Sequence, residues 1–298
     1  MAKRVTFTTC VIKPHTKYHY IIYKMILIFD TFGGLCNQLY DINSAINFCI
    51  INNIKFSFRY CSFRNKNLTS WYNEKFENLF DVSLLEKYKE LYINFYKLTL
   101  TPENTYNYES TRAIEIFDST LNILDQLIDI KFEYIILNQF WSIYISKPII
   151  TNVYKQVNPC EKLLNNYNEI KKKLLKEGEN YNFIHYRYEH DFTNHFKLNN
   201  IESLTNLINI LKPKFKNPHL KIYIATTNIK NCINLNEPFF ENTIIYKNED
   251  ELNDFNFEEN AFIDYMFGKN ATEVYGHKQS SFSTILNFFK QTNNYYNV

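Results

Sequence analysis

The stretch ILIFDTFGGLCNQ, residues Ile26–Gln38, decides the fold of this 298-residue chain. Its first half is an apolar run of strand length, and two of the chain's five glycines, Gly33 and Gly34, follow it almost at once. A helical spacing of apolar residues begins shortly afterwards, at Leu39. A strand, a tight glycine turn and a helix start together place backbone N–H groups and the positive helix end at the carboxyl edge of the strand. The stretch therefore predicts an anion site suited to a diphosphate, unless the glycines serve only to turn the chain.

The glycine pair differs from the two best-known nucleotide-binding motifs. The third glycine of G-x-G-x-x-G is absent, and so is the G-K-[ST] ending of the P-loop. Dinucleotide-binding and Walker-type NTPase functions are therefore disfavoured.

Strand-like and helical patterns alternate along the rest of the chain. This alternation predicts an α/β fold with mainly parallel sheets. We expect the change of domain within Pro148–Asn180, which gives an N-terminal domain over residues 1–165 and a C-terminal domain over residues 166–298. The predicted strands are Tyr20–Asp30, Lys55–Tyr60, Glu133–Leu137, Phe183–Arg187, Lys221–Thr226 and Thr243–Tyr246, and the predicted helices are Leu39–Ile51, Thr111–Ile128, Pro159–Leu175, Ile201–Leu211, Glu258–Lys269 and Phe282–Gln291.

Composition excludes several classes of protein. Hydrophobic residues make up 45% and charged residues 21% of the chain, which indicates a folded globular protein rather than a disordered chain or a membrane bundle. The 33 Lys and Arg residues against 31 Asp and Glu leave a net charge of +2, too little for general binding of nucleic acid. The aromatic residues are spread throughout instead of being interleaved with basic residues, so no nucleic-acid partner is expected.

The N-terminal residues predict neither a membrane span nor a secretory signal. The apolar run Ile21–Phe29 contains Lys24 and is far shorter than the roughly 20 residues of a spanning helix. Residues Met1–Tyr20 carry basic side chains without a following apolar core and cleavage site. We therefore expect no membrane span and a cytoplasmic location, with a secretory compartment left open.

A second group of candidate residues lies in Phe183–Asp191. The period-two geometry of the predicted strand places His185 and Arg187 on one face, at its carboxyl edge. The planar fork of an arginine can hold two phosphate oxygens, and its permanent charge can neutralise a departing diphosphate. Asp191 could orient either side chain or position an acceptor.

Two other interpretations of this segment stay open. Arg187 could form a purely structural ion pair with Asp191 or Glu189. Alternatively, His185, His190 and His195 could be the ligands of a metal site. The five-residue spacing between these histidines, however, matches neither an i,i+4 pair on a helix nor the H-E-x-x-H motif.

The third group lies near the C-terminus. The predicted helix Glu258–Lys269 carries Asp264 among apolar residues, and a short strand, Thr272–Tyr275, and a turn at Gly276 follow. Ser280–Ser283, with the sequence SSFS, then opens the last helix. Serine is a favoured N-cap, so capping alone explains this segment, although the same N–H groups can also hold an anion.

Taken together, the three segments resemble the motifs of the GDP-fucose protein O-fucosyltransferase superfamily. The G-x-x-x-N-Q motif of that family is similar to Gly33–Gln38, and its H-x-R motif with a later Asp is similar to His185–Asp191. Tyr188-Glu189 resembles the plant branch of the superfamily. The Asp-bearing helix, short strand and S-[ST]-F-[ST] motif resemble Asp264–Ser283.

The resemblance implies a GT-B-like fold with two Rossmann-like domains and a donor site in the cleft between them. It implies an inverting transfer of fucose from GDP-fucose to a hydroxyl of a protein Ser/Thr or of a glycan, with no cofactor and no metal. By the same resemblance, Arg187 and Asn37 are the catalytic residues, with Arg187 on the β-phosphate of the leaving GDP. The implied donor-binding residues are Gly33, Gly34, His185 on the nucleotide, Asp191, Asp264 on the guanine edge, and Ser280, Ser281 and Phe282 on the diphosphate.

Several alternatives remain at this stage. The donor could be another sugar nucleotide, as in α-1,2-fucosyl or rhamnosyl transfer, or the chain could be a catalytically silent nucleotide-sugar or glycan-binding protein. Thr227-Asn228 stands where several relatives have an acidic residue or a glycine. No residue is assigned as the catalytic base, for which Asp30, Asp41 and Glu189 are candidates.

Overall fold

The fold is taken from a computed structural model of the whole chain. It describes residues 25–65, 70–108, 131–138, 153–187, 190–195, 197, 203–226, 244–248 and 255–296. The predicted helix Thr111–Ile128 and the pair Thr227-Asn228 lie outside the described residues.

The apolar first part of the stretch Ile26–Gln38 forms an inner strand of a four-stranded parallel sheet. Strand β1, Ile26–Asp30, is buried along its whole length and pairs with a neighbouring strand on each of its edges, as is typical of an inner strand of a parallel sheet. In the register, Ile26 lies opposite Lys55 on one side and opposite Tyr134 on the other. The sheet has the order β2-β1-β6-β5, with β1 Ile26–Asp30, β2 Lys55–Phe58, β5 Thr105–Tyr108 and β6 Tyr134–Asn138.

The C-terminal half of the chain forms a second, five-stranded parallel sheet. Its central strand β7 is also fully buried, and His185 at its end lies opposite Ala225 and Gly276 in the neighbouring strands. The order is β11-β10-β7-β8-β9, with β7 Tyr181–His185, β8 Lys221–Ala225, β9 Ile244–Ile245, β10 Val274–His277 and β11 Tyr295–Tyr296.

A hairpin that the sequence did not predict follows the first sheet. The predicted strand Lys55–Tyr60 is interrupted at Arg59, whose side chain turns back to pair with Asp30. The chain then forms β3, Tyr60–Arg64, which pairs in antiparallel fashion with β4, Trp71–Lys75. The hairpin is therefore a separate two-stranded sheet.

The predicted helices within the described residues are confirmed, with shifted ends. The first begins at Leu35 instead of Leu39, and it ends where Asn53 adopts a left-handed conformation with φ 53°. Short 3₁₀ helices occur at Phe76–Asn78, Val82–Tyr88, Phe95–Lys97, Val153–Lys155 and Lys212–Lys214. The α-helices are α1 Leu35–Asn52, α2 Glu161–Leu174, α3 His190–His195, α4 Leu204–Leu211, α5 Phe257–Asn270 and α6 Ser281–Lys290.

The largest hydrophobic core contains side chains from both parallel sheets. Leu27 and Phe29 of β1 belong to it, as does Phe183 of β7. Tyr223 lies between two rings, since it stacks on Phe183 at 5.7 Å and on Phe267 at 4.0 Å between ring centroids. Helices α1, α5 and α6 pack on one another beside this core. The division at residues 165 and 166 stays a prediction.

None of the helices in the described ranges combines the length and the apolar character needed to cross a bilayer.

Candidate functional site

The turn between β1 and α1 depends on glycine at one position. Gly33 has φ +89°, in the left-handed region that favours glycine. A Cβ atom there would lie 3.1 Å from Nδ2 and 3.2 Å from Cβ of Asn37. Gly34 has an ordinary φ of −61° and is the N-cap of α1. The first N–H groups of α1 thus point out of the turn at the carboxyl edge of the first sheet.

Gln38 fastens this turn to the hairpin. Its side chain is fully buried, and its Nε2 donates to the carbonyl oxygens of Gly33 at 2.9 Å and Ser62 at 2.7 Å. Its Oε1 accepts from the Thr31 hydroxyl at 2.7 Å and from the Ser62 N–H at 3.2 Å. The glutamine of the N-Q pair is therefore a structural residue that holds the turn in place.

Asn37 lies in the first turn of α1, half-buried beside Gly33. Its backbone N–H donates to the Gly34 oxygen at 2.8 Å, as expected for a helix start. Its side-chain amide makes no hydrogen bond to another residue within the described ranges. The amide is thus placed at the turn without a structural partner there.

His185 ends β7 in a buried position against the start of α6. Its Nδ1 lies 2.9 Å from the Ser283 hydroxyl, and its ring lies 4.4 Å from the ring of Phe282. Burial lowers the pKa of His185 well below 6.5, and the positive charge of Arg187 and the neighbouring His277 act in the same direction. The imidazole is therefore neutral at pH 7 and can serve as a hydrogen-bonding group but not as a cation.

Arg187 lies two residues beyond the end of β7, so the predicted strand Phe183–Arg187 is displaced by two residues. Its backbone N–H donates to the Tyr296 hydroxyl at 3.3 Å, and the same hydroxyl donates to the His185 oxygen at 2.6 Å. The guanidinium carbon lies 5.1 Å from the centre of the Phe192 ring. These contacts hold Arg187 at the carboxyl edge of the second sheet.

The charge of Arg187 reaches both candidate anion-binding turns. Burial raises the pKa of the Cys36 thiol in the first turn of α1, and the charge of Arg187 opposes that rise. The same charge lowers the pKa of His277 at the end of β10, where burial is the larger cause. The guanidinium therefore lies within electrostatic range of the Gly33–Gly34 turn and of the segment before α6.

Asp191 is part of the short helix α3, and Glu189 lies outside the described residues. The side chain of Asp191 also lies outside the described part of the chain. The expected role of Asp191, and the alternative of an ion pair with Arg187, both stay predictions.

Helix α6 begins directly against β10. The predicted turn at Gly276 is wrong, because Gly276 lies inside β10 and pairs with His185 and Tyr295. A Cβ atom on Gly276 would lie 2.2 Å from Oγ and 2.5 Å from Cβ of Ser283. Glycine is needed here for close packing of a helix on a strand, not for a turn.

The serines at the start of α6 do not cap the helix in the expected way. Ser280 is the N-cap, but its hydroxyl makes no capping hydrogen bond, and its backbone N–H donates to the His277 oxygen at 3.1 Å. Ser281 is half-buried in the first turn. The Phe282 side chain packs against His185, so only its backbone is available to an anion at the helix start.

Asp264 is buried in α5 on the side of the second sheet where β8 and β9 lie. Its Oδ1 accepts from the Tyr223 hydroxyl at 2.7 Å and forms an ion pair with Nζ of Lys247 at 3.0 Å. Burial raises the pKa of Asp264, whereas the charge of Lys247 opposes the rise. Lys247 was not predicted, since nothing in the sequence around it indicates a buried cation.

Two candidate bases have structural partners. Asp30 accepts two hydrogen bonds from the guanidinium of Arg59, at 3.0 Å from Nε and 2.5 Å from Nη2. Asp41 is buried and accepts from the N–H of Phe32 at 2.8 Å. Neither arrangement singles out a general base.

No group of three or more His, Cys, Asp and Glu side chains that could hold a metal ion is found in the ranges that the structure describes. Of the three histidines considered as metal ligands, His185 forms a hydrogen bond with Ser283, and the side chains of His190 and His195 lie outside those ranges.

The two parallel sheets and the helices packed beside them form a mixed α/β fold, as predicted, and this fold matches structures of fucosyltransferases with a GT-B-like fold. The structure is similar to the crystal structure of POFUT1 in complex with GDP-fucose, with a TM-score of 0.64 and 11% identity over 92% of this chain and 98% of that chain. It is also similar to fucosyltransferase NodZ from Bradyrhizobium, with a TM-score of 0.55 and 11% identity over 89% of this chain and 93% of that chain. A NodZ alpha-1,6-fucosyltransferase co-crystallized with GDP gives a TM-score of 0.55 at 12% identity, over 89% and 92% of the two chains.

At these identities the similarity is one of fold. No protein-family model and no curated protein sequence matches the chain.

Proposed function

We propose that the chain is a glycosyltransferase that moves fucose from GDP-fucose to a hydroxyl of a protein Ser/Thr or of a glycan. The observation that carries the proposal is the position of Arg187 at the carboxyl edge of the second sheet, where its backbone N–H donates to the Tyr296 hydroxyl and its guanidinium carbon lies 5.1 Å from the centre of the Phe192 ring. The fold similarity to POFUT1 in complex with GDP-fucose supports the choice of donor. We place the donor between the domains 1–165 and 166–298.

In the proposed reaction the acceptor oxygen attacks the anomeric carbon of fucose. The bond from that carbon to the β-phosphate oxygen breaks, GDP leaves with the electron pair, and the hydroxyl proton passes to a base or to solvent. Attack from the face opposite to GDP inverts the anomeric carbon. The reaction needs a group that stabilises the growing negative charge on the diphosphate, but it does not need a metal.

Arg187 would provide that stabilisation. Its guanidinium is permanently charged and can donate two parallel hydrogen bonds to phosphate oxygens. A preorganised cation at the place where charge develops lowers the barrier more than it strengthens binding of the ground state. The first N–H groups of α1 and α6 would add the positive ends of two helices on either side of the diphosphate.

The other site residues would position the donor. Asn37 would donate its side-chain amide to the diphosphate beside the Gly33–Gly34 turn, and Ser280, Ser281 and the backbone of Phe282 would bind it from α6. Neutral His185 would contact the nucleotide. Asp264 would bind the guanine edge, with Lys247 keeping its carboxylate charged, and Asp191 would orient Arg187 or the acceptor.

A catalytically silent nucleotide-sugar or glycan-binding protein is the second candidate. It is favoured by the partners of Asp30 and Asp41, because carboxylates already engaged in hydrogen bonds are poorly suited to take the acceptor proton. A transferase of the α-1,2-fucosyl or rhamnosyl type would use the same groups with a different donor sugar or acceptor.

The test is release of free nucleoside diphosphate from a panel of GDP- and UDP-linked sugars, with EDTA present throughout. We expect release from GDP-fucose in preference to the other donors, and EDTA should not change the rate. Preference for another GDP-sugar would move the assignment to a different transferase. Tight binding of GDP without release from any donor would favour the silent binding protein, and no binding of any nucleotide would refute both.

A further inference from the structure

Arg64, at the end of β3, reaches the start of α1 from the hairpin. A Cβ atom on Gly34 would have one neighbour within 4 Å among the described residues, Nη2 of Arg64 at 3.4 Å. The Arg64 side chain is only 12% exposed. A second guanidinium therefore lies at the turn that the proposed function assigns to the diphosphate.

A buried carboxylate fixes the direction of this arginine. Nε of Arg64 donates to Oε1 of Glu258 at 2.8 Å, and the backbone N–H of Arg64 donates to Oε2 at 2.7 Å. The Glu258 side chain, in the first turn of α5, is 0% exposed. This pair holds the arginine through its Nε edge, whereas it is Nη2, at the end of the guanidinium, that lies beside Gly34.

Aromatic rings complete the support. The guanidinium carbon lies 3.4 Å from the centre of the Phe257 ring and 5.1 Å from the centre of the Trp71 ring. Trp71 in turn lies 5.1 Å, between ring centroids, from Phe32, which directly precedes the glycine pair. The guanidinium therefore has little freedom to leave the turn.

Glycine at position 34 is not explained by the backbone conformation. Its φ of −61° is accessible to any residue, so backbone conformation does not require glycine at this position. What glycine leaves here is a gap of about one methyl group, because a Cβ atom would already be in ordinary contact with Nη2 of Arg64 at 3.4 Å. Gly33, by contrast, is explained by its own φ.

We propose that Arg64 is a second diphosphate-binding arginine, held by Glu258 so that its Nη groups contact the donor phosphate over Gly34. The inference rests on the proposed function and adds a residue that no motif of the sequence indicates. Arg64 would bind the donor from the hairpin side and Arg187 from the second sheet, so that the diphosphate lies between two cations. Arg64, as part of an ion pair with Glu258, would contribute mainly to donor binding and orientation.

The experiment measures binding of GDP and of guanosine to the full chain by calorimetry, for the wild type, Arg64→Lys and Glu258→Gln. Lysine keeps the charge but loses the planar fork that reaches from Glu258 to the phosphate. We expect Arg64→Lys to weaken GDP binding about 10- to 100-fold while leaving guanosine binding within about twofold. Glu258→Gln removes the ion pair but keeps the guanidinium, so it should reduce thermal stability and still bind GDP more tightly than Arg64→Lys does.

A second variant tests the space over Gly34 without touching the ion pair. Gly34→Ala should fold with little change in stability and weaken GDP binding, because the added methyl group would fill the gap between α1 and Nη2 of Arg64. The inference is overturned if Arg64→Lys binds GDP as tightly as the wild type, or if it weakens GDP and guanosine binding equally, as loss of a purely structural ion pair would do. If the wild type does not bind GDP at all, the proposed function fails and this inference fails with it.

Discussion

At the scale of single residues, the two adjacent glycines have different physical reasons. Gly33 is needed for its left-handed backbone, since φ is +89°, and a Cβ atom there would also crowd the Asn37 side chain. Gly34 has an ordinary backbone and leaves space at the helix start. The pattern of the sequence could not separate these roles, because both glycines fit a tight turn equally well.

Gly33→Ala should therefore destabilise the protein more than Gly34→Ala does. We expect a loss of about 1 to 2 kcal/mol in the free energy of unfolding for Gly33→Ala, from the cost of a left-handed alanine. Gly34→Ala should change stability by less than about 1 kcal/mol, because the entropy it removes from the unfolded chain is offset by the poorer preference of alanine for the N-cap position. Urea unfolding of the two variants checks this, and equal stabilities would show that the turn does not hold Gly33 at positive φ.

Residues that act through local sequence were predictable, and residues that act through distant partners were not. The placement of His185 and Arg187 near the carboxyl edge of the second sheet was predictable because the strand pattern before them is local in sequence, whereas their roles stay predictions. Lys247 and Arg64 could not, since their roles depend on Asp264 and Glu258, which only the folded chain brings to them.

At the scale of elements, the contact between β10 and α6 determines where the second group of site residues lies. Gly276 allows Ser283 to approach the strand, and Ser283 in turn bonds to His185 on β7. The sequence predicted both elements but misplaced Gly276 in a turn, because glycine more often marks a turn than a close approach of backbone.

Gly276→Ala should consequently disturb both stability and the site. The added methyl group would overlap Ser283 in a buried layer, and overpacking of this kind costs about 1 to 3 kcal/mol. Ser283→Ala is the control, because it removes the hydrogen bond to His185 without adding volume and should cost only about 1 kcal/mol. Thermal unfolding distinguishes the two, and a Gly276→Ala protein as stable as the wild type would mean that α6 is not packed this closely on β10.

Strand ends were less predictable than strand positions. The alternation of Phe183, His185 and Arg187 continues past the last residue of β7, but pairing stops at His185, which lies opposite Ala225 of β8 and Gly276 of β10. The β3–β4 hairpin was missed because its polar second strand, with the sequence WYNEK, lacks a buried face.

At the scale of the whole molecule, buried neutral histidines make stability depend on pH. The pKa of His185 is lowered well below 6.5 in the folded protein, mainly by burial. Below pH about 6.5 the unfolded chain takes up a proton on this ring that the folded chain does not, so stability falls as the pH falls. Above that pH the contribution of His185 is constant.

We expect the melting temperature to decrease between pH 6.5 and pH 5, and His185→Gln to decrease less steeply over the same range. Part of the slope should remain in the variant, because burial also lowers the pKa of His277. Calorimetric scans from pH 8 to pH 5 measure both slopes. Identical slopes would mean that His185 is protonated in the folded state.

The proposed reaction depends on Arg187 as the group that stabilises the leaving diphosphate, and the most direct test is to measure GDP release from GDP-fucose by Arg187→Ala. The matched control is Lys221→Gln, which removes a cation at the opposite end of the same sheet, where Lys221 pairs with Glu179 at 3.0 Å. We predict a decrease of about 100-fold or more for Arg187→Ala and wild-type release for Lys221→Gln. An Arg187→Ala protein that folds and releases GDP at the wild-type rate would contradict the account.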